Sequence, residues 1–409
     1  MRPLALAALV LATAIGAQPA PPDSSQAFAA KVAYRSPLES LAALPGQLLY
    51  APVFVAVYGG RLIGTALWEK RLLDRAKAHL TFAEGRLGIR PLSNTSLGTG
   101  LRLFGRDLAG YRQAQLTSTL GASGRKRQQH RLALSQRGGW RLEGHWLRQP
   151  KEPFYGIGTD TDEEDKTAYR LSEYFLALTR HREIGDLVLD MGLHYRRADT
   201  GKGSSSSAPS ATTHYTPEQL PGLRRQLDFA GADVTLRTAH VDVPGSPTRG
   251  FRLRTGLDYT QSLDDDFSHG RLHLASEHFF ELFHRRTLSL RLGTDWRWAP
   301  SGQAIPFYQL ASLGGQEILR GYNQGRFRDR GAVWVGTTYK FPVWELVEGA
   351  LFYETGRTLH APADFDLEHW RDSYGGGLQM WVPEGVIFAQ TLAFSDEQWR
   401  LIFNAKTDF

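Results

Sequence analysis

The sequence predicts an all-β chain: a transmembrane antiparallel β-barrel of about 16 strands, preceded by an N-terminal periplasmic amphipathic helix. Three observations predict this fold. From Gly88 onward, apolar and polar residues alternate with the period of two that a β-strand produces. The chain starts with the pattern of an export signal. Its final segment alternates in the same way and ends in a phenylalanine, Phe409.

The composition allows a membrane barrel and excludes several other classes of protein. The chain is 42% hydrophobic with a mean hydropathy of -0.34, which is too polar for a helical membrane protein. A barrel tolerates this polarity, because every second residue faces a polar lumen. The absence of cysteine excludes disulfides, thiolate nucleophiles and cysteine-bound metals. The net charge of +6 is spread along the chain without a dense basic block, so we expect no nucleic-acid partner.

Residues 1–17 show the three-part pattern of a signal peptide. Arg2 supplies the positive start, residues 4–15 form an apolar core, and the small residues Gly16 and Ala17 follow. The apolar core is too short to span a bilayer. We therefore expect cleavage near Ala17 and export of the mature chain.

Residues 18–84 show no strand alternation. We expect them to form a periplasmic segment. Within it, residues 48–80 place Trp68 and Leu72 at helical spacing, with charged residues on the other side. The first half of this stretch is apolar enough to suggest a transmembrane helix. However, Arg61 near its centre would cost roughly 2.5–3.5 kcal/mol on insertion. We expect instead an amphipathic helix at the membrane surface or across the barrel mouth.

Residues 85–409 predict the barrel itself. In one typical strand, Leu290 and Leu292 alternate with Arg291 and Asp295. A soluble β-sandwich would show the same period. Charges of both signs on the polar side favour a hydrated lumen instead. The predicted strands are 87–95, 98–106, 112–120, 127–136, 139–148, 168–180, 186–197, 226–239, 250–261, 268–280, 286–299, 331–341, 348–356, 374–382, 386–395 and 398–406.

Two further features favour a membrane-spanning barrel. In the last strand, Trp399, Leu401 and Phe403 share one face, and the strand must pair with the first because an unpaired edge cannot survive in hydrocarbon. A terminal Phe409 on such a strand resembles the sorting signal of bacterial outer-membrane barrels. Tryptophans also cluster at strand ends, as interfacial girdles do; they are Trp140, Trp146, Trp296, Trp298, Trp381 and Trp399.

The long connection that contains residues 313–330 is rich in glycine and arginine and carries the triplet Arg320, Gly321 and Tyr322. In this setting it resembles the conserved loop of the BamA/TamA-type outer-membrane barrel superfamily, also called the bacterial surface antigen family. The resemblance covers roughly residues 87–409. It implies that the loop folds back into the barrel and that the chain resides in the bacterial outer membrane.

The second predicted strand after this loop carries another matching segment, residues 352–357, and a glycine-rich match follows at 374–379. Glu354 stands where the family usually has aspartate, and Gly356 and Arg357 complete the segment. By this resemblance Arg320 points into the lumen and meets Glu354. The physical reason is independent, because a guanidinium confined in a pore needs a carboxylate partner.

The resemblance also bears on function. Members of that superfamily with periplasmic POTRA modules insert other barrels or secrete partners. It therefore implies a role in protein or lipid insertion or transport, in contact with outer-membrane lipid. Its partners would be other outer-membrane assembly components or periplasmic client proteins. Residues 18–84 are too short and too helical to hold a POTRA module convincingly, so the assembly role stays open.

Two alternatives remain at this point. One is a passive or plugged channel, since the inserted loop would partly fill the lumen. The other is a barrel phospholipase, for which Ser276 and His278 lie close on one predicted strand. No G-x-S-x-G elbow occurs, which excludes a fused patatin-type lipase. The acidic loop at 153–166 lacks the spaced ligands of a calcium loop. We expect no enzymatic activity, no catalytic residue, no metal site and no cofactor.

Overall fold

The computed structural model describes most residues from Thr81 to Ala405. Its gaps are 84–85, 95–97, 109–110, 121–126, 137, 204, 206, 264, 284, 345 and 383–384. The predicted signal peptide, the predicted helix at 48–80 and Phe409 lie outside the described residues. Among the described residues, no helix is long and apolar enough to cross a membrane.

One antiparallel sheet of 17 strands forms the body of the fold, which confirms the predicted all-β class. Its strands are β1 (Thr81–Phe82), β2 (Leu87–Asn94), β3 (Gly98–Leu108), β4 (Tyr111–Leu120), β5 (Gln128–Gln136), β6 (Trp140–Phe154), β7 (Thr167–Ile184), β8 (Leu187–Lys202), β9 (Gln226–Val241), β10 (Gly250–Ser262), β11 (His269–Glu281), β12 (Thr287–Trp298), β15 (Gly331–Trp344), β16 (Val347–Leu359), β17 (Arg371–Val382), β18 (Gly385–Phe394) and β19 (Trp399–Ala405).

Shorter elements lie in the connections between these strands. A separate hairpin consists of β13 (Ala311–Leu313) and β14 (Phe327–Asp329). One short helix, α1 (Ala211–His214), and two 3-10 turns, Phe307–Gln309 and Pro362–Asp364, complete the described elements.

The sheet closes on itself. Each strand pairs with the next along the chain, β12 pairs with β15 across the intervening hairpin, and β19 returns to β2 through Asn404 and Asn94. The two-residue β1 pairs with the first two residues of β2, Leu87 and Gly88. Without it, the described ring has 16 strands, which agrees with the number predicted from the alternation.

The contacts of the connection 299–330 identify the inner face of the ring. It contacts Glu152 on β6, Arg291 on β12, Glu354 on β16 and Arg400 on β19. These strands are spread around the ring, so only the lumen is common to them. The connection therefore lies inside, and the wall side chains that it contacts face inward.

The opposite face of the wall is apolar. Directly paired residues of antiparallel strands share a face, so the register shows that Leu178, Leu193 and Ala232 lie side by side on the outside. Leu290 and Leu292 belong to the same outward set, whereas Arg291 and Asp295 point into the lumen. The predicted register is therefore correct on β12.

The two ends of the barrel differ in their connections. The longest ones, at 155–166, 203–225, 299–330 and 360–370, emerge at one end. The first and last barrel strands begin and end at the other, where two-residue turns such as 185–186 predominate. In outer-membrane barrels long loops face the exterior and short turns face the periplasm. We call the two ends exterior and periplasmic accordingly.

Replacing Leu193 with arginine tests which face of the wall meets lipid. The Leu193 side chain is 65% exposed on the outward face, where lipid would surround it. The substitution should lower the free energy of unfolding from vesicles by about 2–4 kcal/mol if the site lies near the bilayer midplane. Thr235→Arg is the matched control, since Thr235 pairs with Gly256 on the lumen face. Equal losses for the two variants would show that the assignment of faces is wrong.

Candidate functional site

The loop between β12 and β15 is a folded hairpin inside the barrel. Its strands β13 and β14 pair from Ala311 with Asp329 to Leu313 with Phe327. The Tyr322 ring packs edge-on against Phe327, with ring centroids 5.0 Å apart. These apolar residues are buried together and form a small core within the loop.

The tip of this loop meets the barrel wall through Arg320 and Glu354. The Arg320 backbone N–H donates to Glu354 Oε2 at 3.0 Å, and its Nε donates to Oε1 at 3.0 Å. Its Nη2 lies 2.9 Å from the same oxygen. Burial lowers the pKa of the Arg320 guanidinium, while the Glu354 carboxylate opposes that shift. The structure thus brings together the two residues that the sequence suggested as a pair.

Glu354 also binds a second guanidinium, and the sequence did not predict this contact. Arg291 on β12 donates from Nη2 to Glu354 Oε1 at 2.6 Å, and the same group bonds the Glu317 carbonyl of the loop at 2.9 Å. The Arg320 guanidinium also lies 3.5 Å from the Phe352 ring centroid. One buried carboxylate therefore holds two guanidiniums between wall and loop.

Two glycines allow this close packing. A Cβ on Gly321 would lie 2.3 Å from the Phe394 carbonyl oxygen, so only glycine fits beside β18. Its backbone N–H donates to Ser373 Oγ at 2.7 Å. On the wall, a Cβ on Gly356 would meet Leu313 of the loop at 3.1 Å. The bare backbone at these positions lets the hairpin seat against the strands.

Beyond the tip, two loop side chains bind the turn between β18 and β19. The Tyr322 hydroxyl donates to Asp396 Oδ1 at 2.5 Å, and burial together with this bond raises the pKa of the hydroxyl. Arg326 is fully buried and donates from Nε to both Glu397 oxygens at 2.9 Å. Its Nη1 and Nη2 reach Thr161 at 2.7 and 2.6 Å. Arg326 therefore ties the hairpin to two exterior connections at once.

The last strand is hydrogen-bonded to the loop backbone through Arg400. Its Nη1 donates to the carbonyls of Gly315 at 2.9 Å and Arg320 at 3.0 Å, and also to Tyr322. Sequence reasoning did not predict the loop contacts of this residue, nor those of Arg291 and Arg326. The signal for Arg400 was its place on the polar side of the final strand. Nothing in that position indicates a partner so far along the chain.

Arg357, another residue of the sequence-predicted set, does not join the cluster. Arg357 lies three positions after Glu354, so the alternation puts it on the outward face of β16. Its guanidinium bonds Asp366 and the Glu368 carbonyl in the next exterior connection. Arg357 is therefore not a lumen residue, which corrects the grouping made from the sequence. The sorting role of Phe409 stays a prediction, because that residue is outside the described range.

The Ser276 and His278 pair lies on the outer face of β11. Ser276 Oγ and His278 Nε2 are 2.9 Å apart, and the imidazole stacks on Phe251. However, the serine is only 2% exposed. The hydroxyl is therefore covered by its neighbours in the wall.

One group of side chains in the lumen could be considered for a metal ion: His194, Asp233 and Asp258. Nδ1 of His194 faces Asp233 at 3.6 Å, while Nε2 faces Asp258 at 3.6 Å. The imidazole therefore lies between two carboxylates, one beside each nitrogen.

Several solved structures are similar to this chain. BamA from Haemophilus ducreyi lacking POTRA domains 1-3 superposes with a TM-score of 0.55 at 15% identity, over 78% of this chain and 68% of that chain. CdiB from Acinetobacter baumannii gives a TM-score of 0.47 at 11% identity, over 78% of this chain and 58% of that chain. The first of these shares the barrel fold. No curated protein is detectably similar in sequence.

The sequence itself matches a family model. Residues 115–394 match the Omp85 superfamily domain, which covers more than half of the chain. This span contains the inward-folded hairpin, both glycines that seat it, and Glu354. The part of the chain that the structure describes contains the barrel and its connections, with no POTRA module. The chain is an outer-membrane β-barrel that belongs to the Omp85 superfamily.

Proposed function

We propose that this barrel assists the insertion or export of proteins at the outer membrane, with the boundary between β2 and β19 as the place where a client strand engages. We call that boundary the seam. Membership of the Omp85 superfamily supports a role of this kind. The observation that carries the proposal is the contact between the inward-folded loop and the seam strand.

Among the described residues, the seam is joined by one register pair, Asn94 with Asn404. The neighbouring boundary is paired over its length, from Phe388 with Ala405 to Phe394 with Trp399. Residues 95–97, which would continue this register, lie outside the described residues. Opening of the seam would expose a strand edge, and such an edge can pair with a strand of another chain.

The loop is bonded directly to the strand that closes the seam. Arg400 lies on β19 and donates to the carbonyls of Gly315 and Arg320 in the loop. Glu354 fixes the same tip to β16 on the far side of β17 and β18. The four strands from β16 to β19 are therefore held as one unit by the hairpin. Opening of the seam would move β2 away from β19, while β16 to β19 stay together.

We propose as partners the client proteins themselves and other outer-membrane assembly components. We further propose a non-enzymatic role, which the burial of Ser276 supports. A plugged channel is the second candidate, because the hairpin occupies the lumen. The two candidates differ in whether the seam must open.

A disulfide across the seam tests the proposed function. The chain has no cysteine of its own, so Asn94→Cys with Asn404→Cys gives a single pair at the described register position. Vesicles that hold the oxidised variant should lose the ability to accelerate folding of a small reporter barrel, and reduction should restore it. Ala389→Cys with Asn404→Cys is the matched control, because it joins β18 to β19 and leaves the seam free. Undiminished acceleration by the seam-locked protein would rule the proposal out.

A further inference from the structure

A pocket of about 280 Å³ opens on the outer wall of the barrel near its exterior end. It lies across β6, β7, β8 and the start of β9. Three arginines define it, and two aromatic rings and a carboxylate complete its main lining: Trp146, Arg148, Arg170, Tyr174, Arg197 and Asp199. None of these residues belongs to the lumen site described above.

The register shows that these side chains point away from the lumen. Tyr174 pairs with Trp146 on β6 and with Arg197 on β8, so the three share one face. Two positions away, Leu176 pairs with Gly144 and is 51% exposed on the lipid side. The pocket therefore continues the outward apolar face.

The order of residues toward the exterior fixes the depth of the pocket. Along the outward positions of β7, Leu178 and Leu176 are followed by Tyr174 and then Arg170. Strand β6 repeats the order of apolar, aromatic and basic residues, ending in Trp146 and Arg148, and β8 does so through Leu193, Tyr195 and Arg197. Aromatic residues of membrane proteins sit at headgroup level. The arginines thus lie at or just beyond the interface.

Carboxylates orient two of the guanidiniums. Arg170 donates from Nη1 to Asp199 Oδ2 at 2.5 Å. Arg197 donates from Nε and Nη2 to Asp228 at 2.7 and 3.1 Å, which leaves its Nη1 hydrogens unused by this pair. Arg148 is exposed on the neighbouring strand. Two acids against three arginines leave a net positive charge, and the Asp199 carboxylate is already neutralised.

We propose that this pocket binds the phosphate group of an anionic lipid headgroup in the exterior leaflet. A guanidinium forms short, charge-assisted hydrogen bonds to phosphate oxygens in a planar, bidentate geometry. Basic pockets at headgroup depth recognise anionic lipids in this way. Trp146 and Tyr174 would contact the less polar part of the headgroup. A membrane lipid, rather than free phosphate, is chosen because the pocket opens directly above the lipid-facing leucines.

The periplasmic end of the same wall offers a matched control. Arg180 also points outward, lies with its guanidinium carbon 5.1 Å from the Trp140 ring centroid, and faces the other leaflet. It lies outside the pocket lining. Arg180→Gln removes one outward charge beside a tryptophan without touching the proposed site.

The test uses the full chain folded in detergent micelles and observed by native mass spectrometry. The probes are bisphosphorylated lipid A, its fully dephosphorylated counterpart and inorganic phosphate. The unaltered protein should retain the phosphorylated lipid preferentially. Arg148→Gln with Arg197→Gln should weaken retention by about tenfold or more, which corresponds to roughly 1.4 kcal/mol. Arg180→Gln should leave it unchanged.

Three outcomes would overturn the proposal. They are equal retention of phosphorylated and dephosphorylated lipid, equal loss in Arg180→Gln, and displacement of the bound lipid by millimolar inorganic phosphate, which would mark a free-phosphate site. Heat-modifiable migration on gels checks that each variant is folded. If the double variant does not fold, lipid retention is measured on Arg148→Gln alone. The Arg148 side chain is exposed and takes part in neither ion pair, so this change leaves both pairs intact. Unchanged retention in that variant would count against the pocket.

Discussion

Replacing Glu354 with alanine should lower the free energy of unfolding by about 3–5 kcal/mol, because removal of one partner leaves buried charges uncompensated. The carboxylate is 1% exposed and holds both Arg320 and Arg291. Without it, the two guanidiniums would lie side by side with no acid between them. Denaturant unfolding from vesicles, followed by tryptophan fluorescence, measures the loss.

Because Glu354 binds two arginines, the removal of Arg320 and the removal of Glu354 should destabilise the barrel to different extents. Arg320→Ala should cost less than Glu354→Ala, because Glu354 would still be paired with Arg291. The double variant should be less destabilised than the sum of the single variants. Arg357→Ala is the control: it also removes an arginine, but one that lies on β16 and is paired on the outer side with the half-exposed Asp366. Removal of Arg357 leaves a half-exposed carboxylate in contact with water, so the loss should be clearly smaller than that of Glu354→Ala. A similar loss in Arg357→Ala and Glu354→Ala would contradict the lumen pairing.

Replacing Arg326 with alanine should release the exterior half of the hairpin. The change breaks the ion pair with Glu397 and both bonds to Thr161, and it leaves the carboxylate partly buried without its cation. A loss of about 3–5 kcal/mol is expected for such a broken pair. The local consequence should be new protease cleavage within residues 314–330 and a larger, noisier single-channel conductance.

Arg330→Ala provides the comparison for this variant. Arg330 lies four residues further on and is exposed. It should leave both the cleavage pattern and the conductance as they are. If Arg326→Ala behaved like Arg330→Ala, the buried contacts of Arg326 would not be what orders the hairpin.

The barrel could be predicted from the sequence because its main determinant is local. A period of two in hydrophobicity directly reports which side chains face lipid and which face the lumen. The predicted 331–341 and observed Gly331–Trp344 strands illustrate the agreement, and the difference lies at the periplasmic end. Strands extend past the apolar belt, where the alternation fades, so the ends were predicted too short.

The contacts inside the lumen could be predicted only in part. Arg320 and Glu354 are linked by the family resemblance, and the structure places them together. Arg291, Arg326 and Arg400 reach partners far along the chain, and no local pattern encodes such pairs. Arg357 was assigned by its place in a motif, although the strand period puts it on the opposite face from Glu354. The alternation was the better guide there.

Cross-linking between the loop and the wall tests most directly whether the hairpin lies inside the barrel. A Cβ added at position 356 would lie 3.1 Å from the Leu313 side chain. Leu313→Cys makes room for it and supplies one thiol, and Gly356→Cys supplies the second. Thr355→Cys in place of Gly356→Cys is the control, because position 355 lies on the outward face. With a short thiol-reactive cross-linker on outer-membrane preparations, the 313–356 pair should link efficiently and the 313–355 pair should not. Equal linking of both pairs, or of neither, would contradict a hairpin folded against the inner wall.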